Sequence, residues 1–141
     1  MLTDAWRYQI YEFLDERGHS VIGGWLARER ITKRDRALLT AKMDLLAQHG
    51  ALLGDKLFAG PIASKTDRKM QSHIYKLIVH GDRMLRPMFC KGPHDMDNEF
   101  TMLLGAIEAN GVLDHDAAEA EANRTIILGN PRRRALNGRY S

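Results

Sequence analysis

The 141-residue chain carries a single cysteine, Cys90, so it can form neither an intramolecular disulfide framework nor a cysteine-rich zinc site. A lone thiol fits a reducing compartment. No stretch approaches the roughly 20 apolar residues that a membrane span needs. The opening MLTDAWRYQI has no basic n-region and no apolar h-region, so no signal peptide is expected and the expected location is the cytoplasm. Internal repeats and low-complexity tracts are also missing.

What remains is ordinary globular composition, with 44% apolar and 28% charged residues, in a length that suits one domain with a real core. The formal charge of +3 is only mildly basic and is weak support for a nucleic-acid partner. Its distribution says more. Lys65, Arg68, Lys69, Lys76, Arg83, Arg86 and Lys91 gather in the middle of the chain, and Arg132, Arg133, Arg134 and Arg139 at the end, while acidic residues concentrate between Asp95 and Glu121. The organisation expected is one domain over residues 1–130, then a basic, mobile tail over 131–141.

The pattern WRYQIYEF alternates apolar and polar residues and reads as a strand, although Trp6, Ile10, Phe13 and Leu14 would also suit a helix. Ser20 can cap a short helix through Glu29, weakened by the Gly23-Gly24 pair. Thr32 caps a clearer helix with the stripe Leu38, Ala41, Leu45 and Leu46, stopped at Gly50. Residues 54–71 read as a loop. Strands are expected over 73–80, 84–90 and 99–106, the first two joined as a hairpin at Gly81-Asp82. A last helix opens at Asp114 or Asp116 and stops before Asn130-Pro131. The fold class is therefore α+β: two N-terminal helices on a short, twisted, mostly antiparallel sheet, in the order β-α-α-β-β-β-α.

Register decides what the hairpin presents. A strict two-residue turn would put Arg86 on the face of Tyr75, Leu77 and Val79. A three-residue connection keeps Tyr75, Leu77, Val79, Leu85 and Phe89 together and sends Lys76, Ile78, His80, Met84, Arg86 and Met88 to the other face. A buried face selects the register that unites its apolar residues, so the second arrangement is preferred. It leaves Lys76, His80 and Arg86 on one exposed face with Arg83 at the turn. Such cations suit a phosphodiester, and a histidine can move a proton near neutral pH. With the RNA 2′-hydroxyl as nucleophile, no metal and no cofactor is needed. Solvated residues on the open side of a sheet are the plainer explanation of the same pattern. Asp114-His115-Asp116 reads as a helix N-terminus before it reads as a metal site, and Cys90 reads as core.

The order of these elements resembles the phage-derived HigB-like branch of the RelE/ParE toxin superfamily of type II toxin–antitoxin systems. GHSVIGGWL is similar to the family's Gly-x-Ser-Pro-Val-x-x-Phe-Leu segment, and LLAQHG to its Leu-Leu-x-x-x-Gly helix end. IYKLIVHGDRMLRPMFC is similar to its Leu-Tyr-Glu-Leu-Arg strand, turn and Arg-x-hydrophobic-Phe/Tyr strand. TMLLGAIEANG resembles its Leu-Leu-hydrophobic-Gly-Phe strand, and DAAEAEANRTIIL its closing helix. The resemblance implies a RelE-like fold and a metal-independent endoribonuclease that cleaves mRNA on the ribosome and is held in check by a cognate antitoxin, as a homodimer or a toxin–antitoxin hetero-oligomer. It carries catalytic cations to Lys76 and Arg86 and puts His80 where relatives often have an arginine; Arg83, at the turn, completes the candidate catalytic set. Lys65, Arg68, Lys69, Lys91, Arg132 and Arg133 would grip RNA. Relatives carry a basic run where this chain has Glu108-Ala109-Asn110. The other class left open is a non-catalytic member of the fold, a ParE-like gyrase inhibitor or a phage accessory binding protein.

Overall fold

The computed structural model describes residues 7–50, 58–63, 70–71 and 73–137. The alternating segment forms β1 (Gln9–Phe13). Ser20 caps α1 (Val21–Arg28) by accepting from Gly23 N at 2.8 Å. Thr32 caps α2 (Lys33–His49) by accepting from Asp35 N at 3.1 Å, and Gly50, at φ 59°, ends it. Inside the expected loop lie three two-residue strands, β2 (Phe58–Ala59), β3 (Ile62–Ala63) and β4 (Met70–Gln71).

The expected hairpin is real but bent. Its first strand splits into β5 (Tyr75–Leu77) and β6 (Val79–His80), and its second into β7 (Met84–Leu85) and β8 (Met88–Lys91). Pairing continues through the bend without a slip: Tyr75↔Phe89, Lys76↔Met88, Val79↔Leu85 and His80↔Met84. Gly81-Asp82-Arg83 is thus a three-residue connection, the register that keeps the apolar residues together. Leu77, Val79, Leu85 and Phe89 lie in one core with Ile22, Trp25, Leu26, Leu39, Met43 and Leu46 from the two N-terminal helices.

The chain continues through β9 (Glu99–Leu104), β10 (Ile107–Ala109), β11 (Val112–Leu113), α3 (Ala117–Gly129), a 3-10 turn at Pro131–Arg133 and β12 (Arg134–Leu136). One sheet has the order β12-β1-β9-β8-β5-β2, and a second has the order β11-β10-β7-β6. β1 and β9 run parallel, and the other described pairs are antiparallel. The protein is therefore α+β with mostly antiparallel sheets. Asp116 caps α3 in a capping box with Glu119. This helix covers the second face of the large sheet, where Phe13, Ile74, Met88, Cys90 and Leu103 pack with Ala117, Ala120 and Ile127. Among the described residues no helix is long and apolar enough to cross a membrane.

One close approach is set by glycine. A Cβ on Gly105 would stand 2.0 Å from Cδ2 of the buried Trp25, so the indole lies directly on this backbone.

The expected mobile tail is corrected for residues 131–137. Residues Arg134–Leu136 add an edge strand to β1, and Asn137 N donates to Ile10 O at 2.8 Å. What holds them is charge. The Arg134 guanidinium sits 3.8 Å over the Tyr11 ring and pairs with Glu99 on β9, the Nη2–Oε1 distance being 3.2 Å. Only 9% and 8% of these two side chains are exposed. Removing one member of such a pair strands the other charge. Arg134→Ala is therefore expected to lower stability by about 3 kcal/mol or more, and adding Glu99→Met should recover most of it. Urea unfolding of the three proteins measures both effects.

Candidate functional site

Strand pairing fixes which side chains share the second face of the hairpin. His80 pairs with Met84, Met84 with Glu108, and Glu108 with Leu113, so the four form one row across β6, β7, β10 and β11. Arg86 follows two residues after Met84 on the same side, and Lys76 lies further along it. Glu108 is the hub. Its Oε1 lies 3.5 Å from Lys76 Nζ and 3.5 Å from Arg86 Nε.

The two cations are held differently. Arg86 is buried, its side chain only 6% exposed against 24% for Lys76. Its Nη1 donates to Leu85 O at 2.9 Å and to Val79 O at 3.3 Å, and its own backbone N donates to Ala106 O at 2.8 Å. A planar fork with several donors is the side chain that can satisfy so many acceptors in a closed space. The open cationic face expected at Lys76, His80 and Arg86 is corrected here. β10 folds over Arg86, and Glu108 neutralises one of the two positive charges.

His80 is exposed at the edge strand, with Nδ1 3.0 Å from the Met84 sulfur. A thioether accepts a hydrogen bond weakly, which leaves Nε2 as the nitrogen available for proton transfer. Two interstrand spacings separate His80 from Glu108, roughly 9–10 Å between backbones. Met84 stands between them in the row.

The other expected site residues lie apart. Arg83 clamps the end of α1, its Nη1 2.8 Å from Glu29 O and its Nη2 3.1 Å from Glu29 Oε1. The same turn is anchored by the buried Asp35, which accepts from Asp82 N at 3.0 Å and Arg83 N at 3.2 Å. Gly81 is required there, because a Cβ would meet Asp35 Oδ1 at 2.2 Å. Lys91 sits on the Tyr75 face, its Nζ 6.0 Å from the Tyr75 ring centroid. Arg133 stacks 5.3 Å over Phe13 and donates from Nε to Leu14 O at 3.1 Å, while Arg132 is exposed. Lys65, Arg68 and Lys69 lie outside the described residues.

The remaining candidates are structural. Asp116 is the cap of α3, and Asp114 Oδ1 accepts from Ile107 N at 2.7 Å. No cluster of three His, Cys, Asp or Glu side chains suited to a metal ion occurs among the described residues. Burial pushes the Cys90 thiol up to about 12, which makes it a core group and not a nucleophile.

Glu108 was not among the residues expected to act. A signal for it was present: Asn110-Gly111 between two short apolar segments is a strong hairpin turn. Both residues have positive φ, 53° and 77°, and they place Glu108 on a strand beside β7. No family model, no curated protein and no solved structure matches this chain.

The unequal burial has a measurable consequence. Glu108→Ala deprives the buried Arg86 of its counter-charge and should cost about 2 kcal/mol. Lys76→Ala removes a partly exposed partner and should cost less than about 1 kcal/mol. Urea midpoints for the two variants should separate in that order.

Proposed function

We propose that this chain is a metal-independent endoribonuclease on a RelE/HigB-like toxin fold. The observation that carries the reading is a carboxylate gripped by two cations on the same sheet face as an exposed histidine. Glu108 takes the proton of the RNA 2′-hydroxyl as the 2′-oxygen attacks phosphorus. The His80 imidazolium gives a proton to the departing 5′-oxygen. The products are a 2′,3′-cyclic phosphate and a 5′-hydroxyl, with electrons and protons balanced and no cofactor consumed. Lys76 neutralises a non-bridging oxygen as charge grows. Arg86 is a positioning residue that fixes Glu108.

Glu108 stands where relatives carry the basic run, and it is in contact with Lys76 at 3.5 Å. Ribosome-bound mRNA is the substrate in this reading, and a cognate antitoxin covers the face around His80. The second reading, a non-catalytic member of the fold, is favoured by the burial of Arg86, which takes one expected phosphate ligand out of reach.

General acid–base groups contribute factors of roughly 10² to 10⁴. Glu108→Gln and His80→Ala should each slow single-turnover cleavage of mRNA on ribosomes at least about a hundredfold and relieve growth arrest in cells. If both variants remain folded and keep the parent's rate, the face is not a nuclease site and the non-catalytic reading takes its place.

A further inference from the structure

At the end of the large sheet, His73, Tyr75, Lys91 and Met96 line one shallow concavity of about 220 Å³. It lies on the Tyr75 side of β5, apart from the face of Glu108. Three of its walls are fixed or distinctive in ways that scattered surface residues are not. The Tyr75 ring is braced by Phe58, 5.6 Å away at 83°, and by Phe89, 5.9 Å away at 32°, so it forms a rigid plate. The His73 ring is held through Nδ1, 3.3 Å from Glu121 Oε1. That carboxylate is itself held by Arg124 Nη1 at 3.2 Å and Thr125 Oγ1 at 3.3 Å. With Nδ1 donating to the carboxylate, the imidazolium form of His73 can also donate from Nε2, which is the form an anion would select. Met96 is 48% exposed, a soft apolar side chain with no core to fill. Lys91 Nζ stands over the Tyr75 ring, 6.0 Å from its centroid, and brings positive charge to the concavity.

An apolar slot between a fixed aromatic plate and a thioether, with an ammonium and an imidazole at its edge, fits a flat ring that carries an anion. The concavity is shallow and open to solvent, so an occupant seats one face against it and leaves the rest outside. We propose that this concavity binds a nucleoside monophosphate unit, the base between Tyr75 and Met96 and the phosphate on Lys91 and His73. Because Tyr75 and His73 are already held, little side-chain freedom is lost on binding. The unit can come from a free nucleotide or from a single-stranded RNA. It binds independently of cleavage at Glu108.

The test uses the full chain with 5′-AMP, adenosine, inorganic phosphate and a short uncleavable single-stranded RNA as probes. NMR follows the Met96 methyl and the His73 ring. 5′-AMP is expected to shift both signals and to bind about tenfold more tightly than adenosine or phosphate alone. Stacking losses on aromatic truncation predict that Tyr75→Leu weakens 5′-AMP roughly tenfold, while Tyr75→Phe, which keeps the plate, binds as the parent does. Lys91→Ala should weaken 5′-AMP and leave adenosine unchanged. Tighter binding of the RNA than of 5′-AMP assigns the site to a strand, and equal binding assigns it to the free nucleotide. The proposal is overturned if 5′-AMP leaves the Met96 and His73 signals in place, or if it binds Tyr75→Leu and Lys91→Ala as well as it binds the parent. Glu108→Gln should leave 5′-AMP binding intact, so loss of cleavage and loss of this site are read separately.

Discussion

All six residues of β9 are buried, including Glu99 and Thr101, and most of the molecule's arrangement depends on that strand. Phe100 and Met102 face the core under α1 and α2, while Leu103 and Leu104 face the core under α3. A strand covered on both faces cannot present polar groups to water, so each one must find a partner inside. Glu99 takes Arg134 from the end of the chain, and Thr101 donates to Gly92 O at 2.6 Å. Those partners explain why the C-terminal segment returns to the sheet. The smaller sheet, β6, β7, β10 and β11, carries the row from His80 to Leu113.

Buried charge recurs through the fold, and each instance joins segments distant in sequence. Asp35, at the start of α2, holds the peptide nitrogens of the β6–β7 turn. Its spacing after Thr32 is that of a capping box, yet the carboxylate reaches out to the turn instead of back to the helix. Arg86 spans two carbonyls of its own hairpin and a carboxylate of β10. Desolvating such groups is costly, and the penalty is offset only where several hydrogen bonds are made at once. The geometry around them is therefore narrow, and the His80 row inherits that rigidity.

Much of this was legible in the sequence. Ser20, Thr32, Gly50 and Asp116 mark helix ends through chemistry local to one turn, and local chemistry can be read locally. The hairpin register followed from keeping Tyr75, Leu77, Val79, Leu85 and Phe89 together. The misses have separate causes. RRRALN reads as a solvated basic run because the partners that fold it, Glu99, Tyr11 and Phe13, lie far away along the chain. Arg86 reads as exposed because alternation assigns a face and says nothing of what covers that face. The short strands β2, β3 and β4 have no length over which a period could show. Glu108 looked like a missing positive charge, whereas its pairing across β7 makes it the counter-ion of the cations already noted.

The two partners of Glu108 divide its work. Arg86 has a carbonyl pair behind it and almost no solvent around it, so it cannot leave the carboxylate without stranding its own charge. Lys76 has a flexible stem, partial exposure and a single ion-pair partner among the described contacts. In the proposed reaction an arriving phosphate would compete with Glu108 for Lys76 and not for Arg86, because only Lys76 can swing away without stranding a buried charge. Arg86 would keep the carboxylate aimed while Lys76 meets the substrate, so the pairing that made the face look too acidic for RNA is also what would hold its carboxylate in place.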